Sequence, residues 1–445
     1  MNAKGAFPEG FVWGTATASF QIEGGRTERG RCIWDDFCDW PGKVFQGHSG
    51  DVADDHYHLF RDDVALMARM GLGAYRFSIS WPRVQPDGQG DVNAKGLDFY
   101  DALVDELLEH GIEPYITLYH WDLPSALQST GGWVVRDTAA RFRDYAAIVA
   151  ERLGDRVSHW ITHNEPWVVA FLGNLMGIHA PGWQDLSAAL QVAHHVLLSH
   201  GLAVPVLRDA CGEDAQIGIT LNLSPAYAAT DSDDDRQAQR TADGYANRWF
   251  LDPVLRGSYP EDMCALYDWH MPNVAPGDLE LIQTPIDFLG INNYSRQVVA
   301  SRDDASLGFG TVRPEGQYTA MDWEVFPQGL EDLLVRLGRD YPGIDFYITE
   351  NGSSWEDRLG EDGRVHDPER ESYLRAYLQA CARAIAQGVP LRGYFGWSLL
   401  DNFEWAYGYS RRFGLVYVDF ETQQRIIKDS GEAYARIARA NAWDA

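Results

Sequence analysis

Lysine is almost missing from this chain of 445 residues. Only Lys4, Lys43, Lys95 and Lys428 occur, and none of them falls in a predicted strand. Schiff-base chemistry on a strand lysine therefore has no candidate. The shortage of basic residues leaves a formal net charge of −28. That charge disfavours nucleic acid, anionic membranes and strongly anionic substrates as partners.

Long apolar runs and paired cysteines are also lacking. No run of 18 apolar residues occurs, so no transmembrane helix is predicted. The N-terminal segment M-N-A-K-G-A-F-P-E-G has no apolar core of the kind that a secretory signal needs. Five scattered cysteines without C-x-x-C spacing argue for reduced thiols and against a zinc site. We therefore expect a cytoplasmic protein without a bound metal.

Eight short runs rich in aromatic and β-branched residues recur along the chain, each followed by helical periodicity. They cover residues 11–16, 75–80, 115–120, 160–165, 217–223, 288–294, 346–350 and 393–400. This alternation, without a Gly/Ser linker, predicts an α/β fold: a single catalytic (β/α)8 TIM barrel over residues 1–445, with extended βα loops. A doubly wound sheet is the alternative, but its G-x-G-x-x-G turn is missing after the first run.

Turn and capping signals divide the segments between the strands. Helices are predicted over residues 93–111, 137–154 and 367–388, and Pro205 is expected to kink or end an apolar helix that begins near Ala188. The acidic stretch 231–235 is interpreted as a solvated loop.

Two of the predicted strands end in a glutamate. Residues 160–166 read W-I-T-H-N-E-P, and the predicted strand within them ends at Glu165. Residues 346–352 read F-Y-I-T-E-N-G, and the predicted strand within them ends at Glu350. In a chain with 65 Asp and Glu, either position alone is more often an accident. Because TIM barrels gather their chemistry at the carboxyl ends of the strands, we expect the two carboxylates to face each other across one pocket.

Other polar and aromatic side chains crowd the same strand ends. They are Gln21, Arg76, His120, Trp121, Asn164, Asn222, Asn292, Asn293, Tyr294, Trp397, Glu404 and Trp405. Amide, imidazole and carboxylate groups can bind hydroxyls, and indole rings offer a flat apolar floor. The mixture suits a neutral polyol and contains no cluster of metal ligands.

At this point the chain resembles glycoside hydrolase family 1, in its bacterial β-glucosidase branch. Three motifs carry the resemblance: F-x-W-G-x-A-T-A-S-x-Q-x-E-G over residues 11–24, T-x-N-E-P over 162–166, and I-T-E-N-G over 348–352. The similarity extends over about residues 11–434, which is nearly the whole chain.

The resemblance implies roles for individual residues. Glu165 matches the general acid/base and Glu350 the nucleophile, which Arg76 and Tyr294 hold. Substrate contacts are expected from Gln21, His120, Trp121, Asn164, Asn222, Tyr294, Trp397, Glu404 and Trp405. The leaving-group entrance is expected at Trp167, Leu172, Asn174, His179 and Trp323. Asn174 and the pair Ser353–Ser354 depart from the family pattern, and we expect them at the pocket rim.

The implied reaction is a retaining double displacement without any cofactor, with the carboxyl groups about 5 Å apart. Burial and a facing negative charge should raise the pKa of Glu165, and Arg76 should lower the pKa of Glu350. Strand periodicity puts His163 on the same face as Glu165, where it could tune that residue. His194 and His195 are expected to be structural.

Glu404 indicates the substrate, because a carboxylate can accept the O4 and O6 hydroxyls of a hexose but repels a 6-phosphate. We expect hydrolysis of terminal, non-phosphorylated β-D-glucosides, with β-galactosides and β-fucosides as side substrates. Two alternatives stay open: an enzyme that acts mainly as a transglycosidase, and a non-catalytic sugar-binding barrel. The amount of transfer product relative to free glucose tests the first, and binding without hydrolysis tests the second. The only expected partner is a small glycoside, with the oligomeric state undetermined.

Overall fold

Eight parallel strands close into a barrel, as predicted. They are Val12–Ala16 (β1), Ala74–Ser78 (β2), Glu113–Tyr119 (β3), His159–Asn164 (β4), Gln216–Asn222 (β5), Phe288–Asn292 (β6), Asp345–Asn351 (β7) and Leu391–Trp397 (β8). Each strand pairs with its neighbours in chain order, and β8 pairs with β1 to close the ring. The chain is described as a computed structural model covering residues 6–443. Lys4 and the first half of the N-terminal segment lie outside the described residues.

One principal helix follows each strand and covers the outside of the barrel. These are His56–Met70 (α1), Ala94–Glu109 (α2), Asp137–Leu153 (α3), Leu186–Cys211 (α4), Trp249–Arg256 (α5), Pro327–Asp340 (α6), Pro368–Ala386 (α7) and Asp429–Ala440 (α8). The three helices predicted from turn signals correspond to α2, α3 and α7, and their ends agree within two residues. The (β/α)8 prediction is therefore confirmed.

The loops between these strands and helices contain shorter helices and strands. The additional α-helices are Ser19–Ile22, Ile33–Asp39, Trp81–Val84, Ser125–Ser129, Asp233–Asp243, Glu261–Tyr267 and Asp278–Ile282. Single turns of 3-10 or π type cover Arg26–Glu28, Phe45–Gly47, Gly132–Val134, Val168–Leu172, Gly244–Arg248, Asp268–His270 and Trp405–Ser410. A three-stranded sheet joins Ala226–Ala228, Gln297–Ser301 and Phe309–Thr311, and an antiparallel pair joins Val416–Val418 to Arg425–Ile427.

Aromatic side chains fill the barrel at the amino end of the strands. The ring of Tyr115 stacks on His159 with centroids 4.0 Å apart, and it also packs against Phe395 at 4.8 Å and Tyr347 at 5.8 Å. Tyr347 and Phe288 pack edge to face at 5.2 Å in the same layer. The interior is therefore a packed core rather than a pore, and the open space lies at the carboxyl ends of the strands.

Helix α4 does not end at Pro205, which was one of the two outcomes expected there. It continues through Pro205 to Cys211, with Val204 and Leu207 buried on either side of the proline. A proline inside a helix loses one backbone hydrogen bond, and we attribute the continuity to this apolar packing. By length and composition alone α4 could cross a membrane, but 78% of its apolar window is buried inside the fold. A core helix passes the same test.

The acidic stretch 231–235 is also not a loop throughout. It starts the helix Asp233–Asp243, whose N-cap residue Ser232 accepts a hydrogen bond from the backbone N–H of Asp235. Three aspartates occupy the first turn, where the positive end of the helix dipole favours negative charge. Asp235 is buried and also accepts from the N–H of Ser301.

The two strands that end in glutamate are both bulged just before it. In β4, Ile161 pairs with Gly218 and Asn164 with Thr220, so β4 contains one more residue than β5 over this step. In β7, Ile348 pairs with Ile291 of β6 and Glu350 with Asn292, which again leaves one extra residue. A bulge reverses the alternation of side chains and can therefore redirect the residues that follow it.

Candidate active site

Glu350 lies at the end of β7 with two strong hydrogen-bond donors. Its Oε1 atom accepts from Arg76 Nη1 at 2.6 Å, and its Oε2 atom accepts from the Tyr294 hydroxyl at 2.6 Å. Arg76 comes from β2 and is fully buried, and it also donates to Asn164 Oδ1 at 2.6 Å. The two residues predicted to hold Glu350 therefore both donate a hydrogen bond to its carboxylate.

Glu165 directly follows β4 and is held differently. Its φ of 50° is in the left-handed region, which non-glycine residues rarely adopt outside functional or strained sites. Its backbone N–H donates to the Thr220 carbonyl at 2.9 Å, and its Oε1 atom accepts from Asn292 Nδ2 at 2.6 Å. A neutral amide thus faces Glu165 where a guanidinium faces Glu350.

Burial dominates the titration of both carboxyl groups. Burial and the facing Glu350 carboxylate raise the pKa of Glu165 to about 8. Burial also raises the pKa of Glu350, although Arg76 and the hydrogen bond from Tyr294 act in the opposite direction. Arg76 thus acts in the expected direction, but the expectation of a lowered pKa for Glu350 is wrong, because the loss of solvent outweighs the guanidinium. When only one of the two groups is charged, the positive donor and the hydroxyl still favour Glu350 as the anion.

Asn292 of β6 connects the two bulged strands. Its Nδ2 group donates to Glu165 and also to Asn164 Oδ1 at 3.0 Å, while its Oδ1 atom accepts from Thr349 Oγ1 at 2.8 Å. Sequence reasoning placed Asn292 at a strand end without assigning it a role. Its carboxyl-end position was the available signal, but only the fold shows which carboxylate it contacts.

Gln21 and His120 form a polar wall beside the carboxylates. Gln21 Nε2 donates to the Phe403 carbonyl at 2.9 Å, and Asn164 Nδ2 lies 3.0 Å from His120 Nε2. Burial lowers the pKa of His120 well below its ordinary value, so the ring is neutral. Because Asn164 Nδ2 is a donor, His120 Nε2 accepts and Nδ1 carries the proton. Gln21 Oε1 and His120 Nδ1 have no partner among residues 6–443, so both can bind a hydroxyl.

Three indole rings surround this wall. Trp121 and Trp405 have centroids 4.5 Å apart, and the His120 ring stacks against both Trp397 and Trp405 at about 6 Å. Trp121 Nε1 donates to the Asn164 carbonyl at 2.9 Å.

Glu404 is the third carboxyl group of the site. Burial and the Glu350 charge raise the pKa of Glu404 to about 8.

These groups line an inner cavity of about 260 Å³. It contains both predicted catalytic glutamates with His120, Trp121, Tyr294, Trp397, Glu404 and Trp405. Gln21 and Asn164 reach it indirectly, through their hydrogen bonds to Glu404 and His120. Leu172, His179 and Trp323, expected at the entrance, also line it.

A larger outer cavity of about 490 Å³ adjoins the inner one at Glu165. Asn222 and Trp167 line only this outer space, whereas Leu172, Tyr294 and Trp323 line both cavities. Asn222 was predicted to contact the substrate, but the prediction did not say in which part of the site. Its position in the structure allows such a contact only in the outer cavity.

The expectation that Asn174 and the pair Ser353–Ser354 lie at the pocket rim is wrong. All three are buried, and none of them lines either cavity. Asn174 donates to the Val169 carbonyl, Ser353 accepts from Trp355 Nε1, and Ser354 accepts from the Arg412 N–H. Hydrogen bonding within the folded loops removes these polar groups from the rim.

The histidines outside the pocket contact neighbouring elements. His163 points away from the barrel axis, so the expectation that it shares a face with Glu165 is wrong; the bulge in β4 interrupts the alternation. His194 and His195 of α4 bind Asp278 and the Trp133 carbonyl, respectively. Within residues 6–443, no group of three or more His, Cys, Asp or Glu side chains is placed to hold a metal ion.

A closed (β/α)8 barrel with two buried glutamates at its carboxyl end, in a pocket of hydroxyl-binding groups and indole rings, defines a glycoside hydrolase. The particular family follows from comparison with known proteins. The chain belongs to glycosyl hydrolase family 1, whose family model matches residues 3–443.

Named relatives extend over nearly the entire chain. "Thermostable beta-glucosidase B" of Thermobispora bispora is 52% identical over 98% of this chain and 91% of its own length. "Beta-glucosidase A" of Acetivibrio thermocellus is 48% identical over 99% of this chain and all of its own. The solved structure of the Thermotoga maritima beta-glucosidase in complex with deoxynojirimycin superimposes with a TM-score of 0.97, at 47% identity, over 99% of this chain and 100% of that one.

Proposed function

We propose that this chain is a retaining β-glucosidase that removes terminal non-reducing β-D-glucosyl residues from oligosaccharides or glucosides. The observation that carries the proposal is the asymmetry of two glutamates in one cavity. Glu350 accepts from a guanidinium and a phenol, whereas Glu165 accepts from a neutral amide and has its pKa raised to about 8. One group is thus prepared to attack as an anion and the other to donate a proton.

In the first step, Glu350 attacks the anomeric carbon and forms a glycosyl ester. The bond to the leaving-group oxygen breaks, and that oxygen takes the proton of Glu165. Arg76 and Tyr294 orient the attacking carboxylate and disperse its charge. We expect a carboxyl separation of about 5 Å, which retention requires.

In the second step, water replaces the leaving group and attacks the ester. The charge of Glu350 has then been consumed, so the main repulsion that keeps Glu165 protonated is gone. Glu165 accepts a proton from the water, and the carbon–oxygen bond to Glu350 breaks. Both carboxyl groups return to their starting states.

The inner cavity supports glucose as the sugar. Glu404, Gln21 and His120 offer acceptors and a donor to neutral hydroxyls, and Trp397 supplies a flat apolar face. A 6-phosphate beside Glu404 would meet a carboxylate. Galactosides and fucosides keep most of the same hydroxyls, so we propose them as side substrates.

The outer cavity supports a polar leaving group. The side-chain amides of Asn222 and Gln297 line it and form no hydrogen bond with the rest of the described chain. Trp167 Nε1 is buried there, also without a partner in residues 6–443. These groups can bind the hydroxyls of a second sugar, while Trp323 forms an aromatic wall.

The same site could use a sugar or alcohol instead of water in the second step, which would make the enzyme a transglycosidase. The polar outer cavity favours this candidate, because an acceptor sugar would bind where the leaving group had been. We further propose that residues 1–445 act as one catalytic domain in the cytoplasm. Five cysteines without a disulfide support that location.

Initial rates on p-nitrophenyl β-D-glucoside, galactoside, fucoside and 6-phosphoglucoside test the proposal, with transfer product measured against free glucose. We expect fast release from the glucoside and none from the phosphorylated sugar. The Glu350→Ala variant should be inactive on all four substrates. A preference for the phosphorylated sugar would contradict the role given to Glu404, and unchanged rates in the variant would contradict the mechanism.

A further inference from the structure

The bulge in β4 places two consecutive side chains on the outside of the barrel. Thr162 and His163 both point toward helix α4, although neighbouring residues of a regular strand point to opposite faces. Both are fully buried. They are the first two residues of the T-x-N-E-P motif, and the mechanism above uses neither.

Each of these side chains is bonded to one residue of α4. Thr162 Oγ1 lies 2.7 Å from His200 Nδ1, and His163 Nε2 lies 2.7 Å from Ser199 Oγ. Ser199 donates its own proton to the Val196 carbonyl at 2.7 Å, so His163 Nε2 must be the donor to Ser199. Two consecutive residues of the bulge are thus hydrogen-bonded to two consecutive residues of α4.

Packing fixes the His163 ring as well. Its centroid lies 4.3 Å from the ring of Phe142 on α3, 5.5 Å from that of Tyr119 on β3 and 5.6 Å from that of Trp133. Burial lowers the pKa of His163 well below its ordinary value, and the ring is neutral. A neutral ring held by three aromatic neighbours and one hydrogen bond has a single orientation.

The residues just after the bulge are the ones that act in the pocket. Asn164 points inward to Arg76 and His120, and Glu165 turns to the pocket with a φ of 50°. A left-handed conformation at a glutamate persists only where the surroundings hold it. If β4 lost its extra residue relative to β5, every following side chain would change face.

We propose that Thr162 and His163 are positioning residues that hold the β4 bulge against α4 and thereby aim Glu165 at the leaving-group oxygen. This inference rests on the proposed function, in which Glu165 is the proton donor. His163, at the variable position of the motif, thereby has a positioning role. Ser199 and His200 of α4 hold the two residues through hydrogen bonds. Neither residue touches the substrate.

A set of aryl β-D-glucosides tests the inference, because only poor leaving groups need a well-placed proton. We expect His163→Leu to lower kcat/KM on phenyl β-D-glucoside by roughly 10- to 100-fold, since small misplacements of a catalytic group are costly. On 2,4-dinitrophenyl β-D-glucoside, the loss should stay within about threefold. His163→Gln can keep a donor toward Ser199, and we expect it to recover most of the loss.

His195→Leu is the matched control, since it removes a buried histidine from the adjoining part of α4. The hydrogen bonds of His195 within residues 6–443 go to the Trp133 carbonyl and to Gln191. It should lower the melting temperature without changing the ratio of the two rates. Thr162→Val provides a second test of the bulge and should change the ratio in the same direction as His163→Leu. If His163→Leu does not fold, Thr162→Val and His163→Gln carry the comparison.

Equal losses on both substrates in the His163 and Thr162 variants would overturn the inference and leave these residues a structural role only. Glu165→Ala separates this failure from a failure of the proposed function. It should show the steepest dependence on the leaving group. If Glu165→Ala lost activity evenly on both substrates, Glu165 would not be the proton donor, and both the proposed function and the inference would be wrong.

Discussion

Strands β4 and β7 are alike in sequence pattern and unlike in what surrounds their ends. Each has a glutamate at its carboxyl end, after a threonine-containing bulge, and both glutamates are buried in the inner cavity. At β7 a guanidinium and a phenol converge on Glu350, whereas at β4 one neutral amide reaches Glu165. The role of a buried carboxylate therefore depends on its hydrogen-bond donors, and residue type and strand position alone do not assign it.

We expect the largest effect from Glu350→Ala. We expect kcat to fall on the order of 10⁴-fold or more for every leaving group, because no covalent intermediate can form. Azide should enter the vacated space and attack from that side, which gives the α-glucosyl azide, identifiable by NMR. The exposed carboxylate of Glu356 is the control, and Glu356→Ala should keep wild-type rates. A β-azide product would contradict the assignment of Glu350.

Glu165→Ala should have a smaller effect on activity, and one that depends on the leaving group. We expect losses of roughly 10²- to 10⁴-fold on phenyl β-D-glucoside, because its leaving group needs a proton. The glycosylation step with 2,4-dinitrophenyl glucoside should be nearly unchanged, as pre-steady-state release of the phenol would show. Azide should now attack the intermediate from the Glu165 side and give the β-azide. An α-azide would mean that the two roles are exchanged.

Tyr294→Phe makes the two glutamates more alike by removing one donor from Glu350. A hydrogen bond to a charged group corresponds to roughly a 10- to 100-fold change, and we expect a fall in kcat/KM of that order. The loss of this donor also raises the pKa of Glu350, which must be ionised to attack. The acidic limb of the pH–rate profile should therefore move to higher pH.

Tyr341→Phe is the control for this variant, because it removes a buried tyrosine–carboxylate bond, to Asp252, outside both cavities. Its profile should keep the wild-type shape. A shift of the acidic limb to lower pH in Tyr294→Phe would contradict the orientation given to the Tyr294 hydroxyl.

The smallest expected effect is electrostatic and concerns the third carboxyl group of the pocket. Activity needs Glu165 protonated, so kcat/KM should fall as the pH rises through about 8. The charge of Glu404 contributes to raising that pKa. Glu404→Gln should therefore move the basic limb to lower pH, as a pH–rate profile on the glucoside would show. A basic limb that moves upward would contradict the electrostatic coupling between Glu404 and Glu165.

Local sequence patterns predicted the barrel well because strand, turn and helix preferences depend mainly on neighbouring residues. Aromatic and β-branched runs bounded by turn residues placed the ends of all eight strands within three residues. The start of the helix Asp233–Asp243 carried a signal too, in Ser232 followed by acidic residues, but its high charge was interpreted as a loop.

The predictions that failed depend on contacts between distant segments. His163 was assigned to the wrong face because the bulge in β4 exists only relative to β5. The direction of the Glu350 pKa shift was wrong because burial, which no local pattern reports, outweighs Arg76. Of the two effects expected at Pro205, a kink or an end, the end is contradicted, because α4 continues past the proline among buried apolar residues.

The order of the strands, the residue types at their carboxyl ends and the three motifs that indicate the family can all be predicted from the amino-acid sequence, because each depends on neighbouring residues. The face that each of these side chains occupies and the donor that meets each carboxylate depend on the three-dimensional fold. Arg76 and Glu350 lie 274 positions apart, and Asn292 and Glu165 lie 127 apart. Burial and hydrogen-bond partners at such separations arise when the barrel closes, and they distinguish one glutamate from the other.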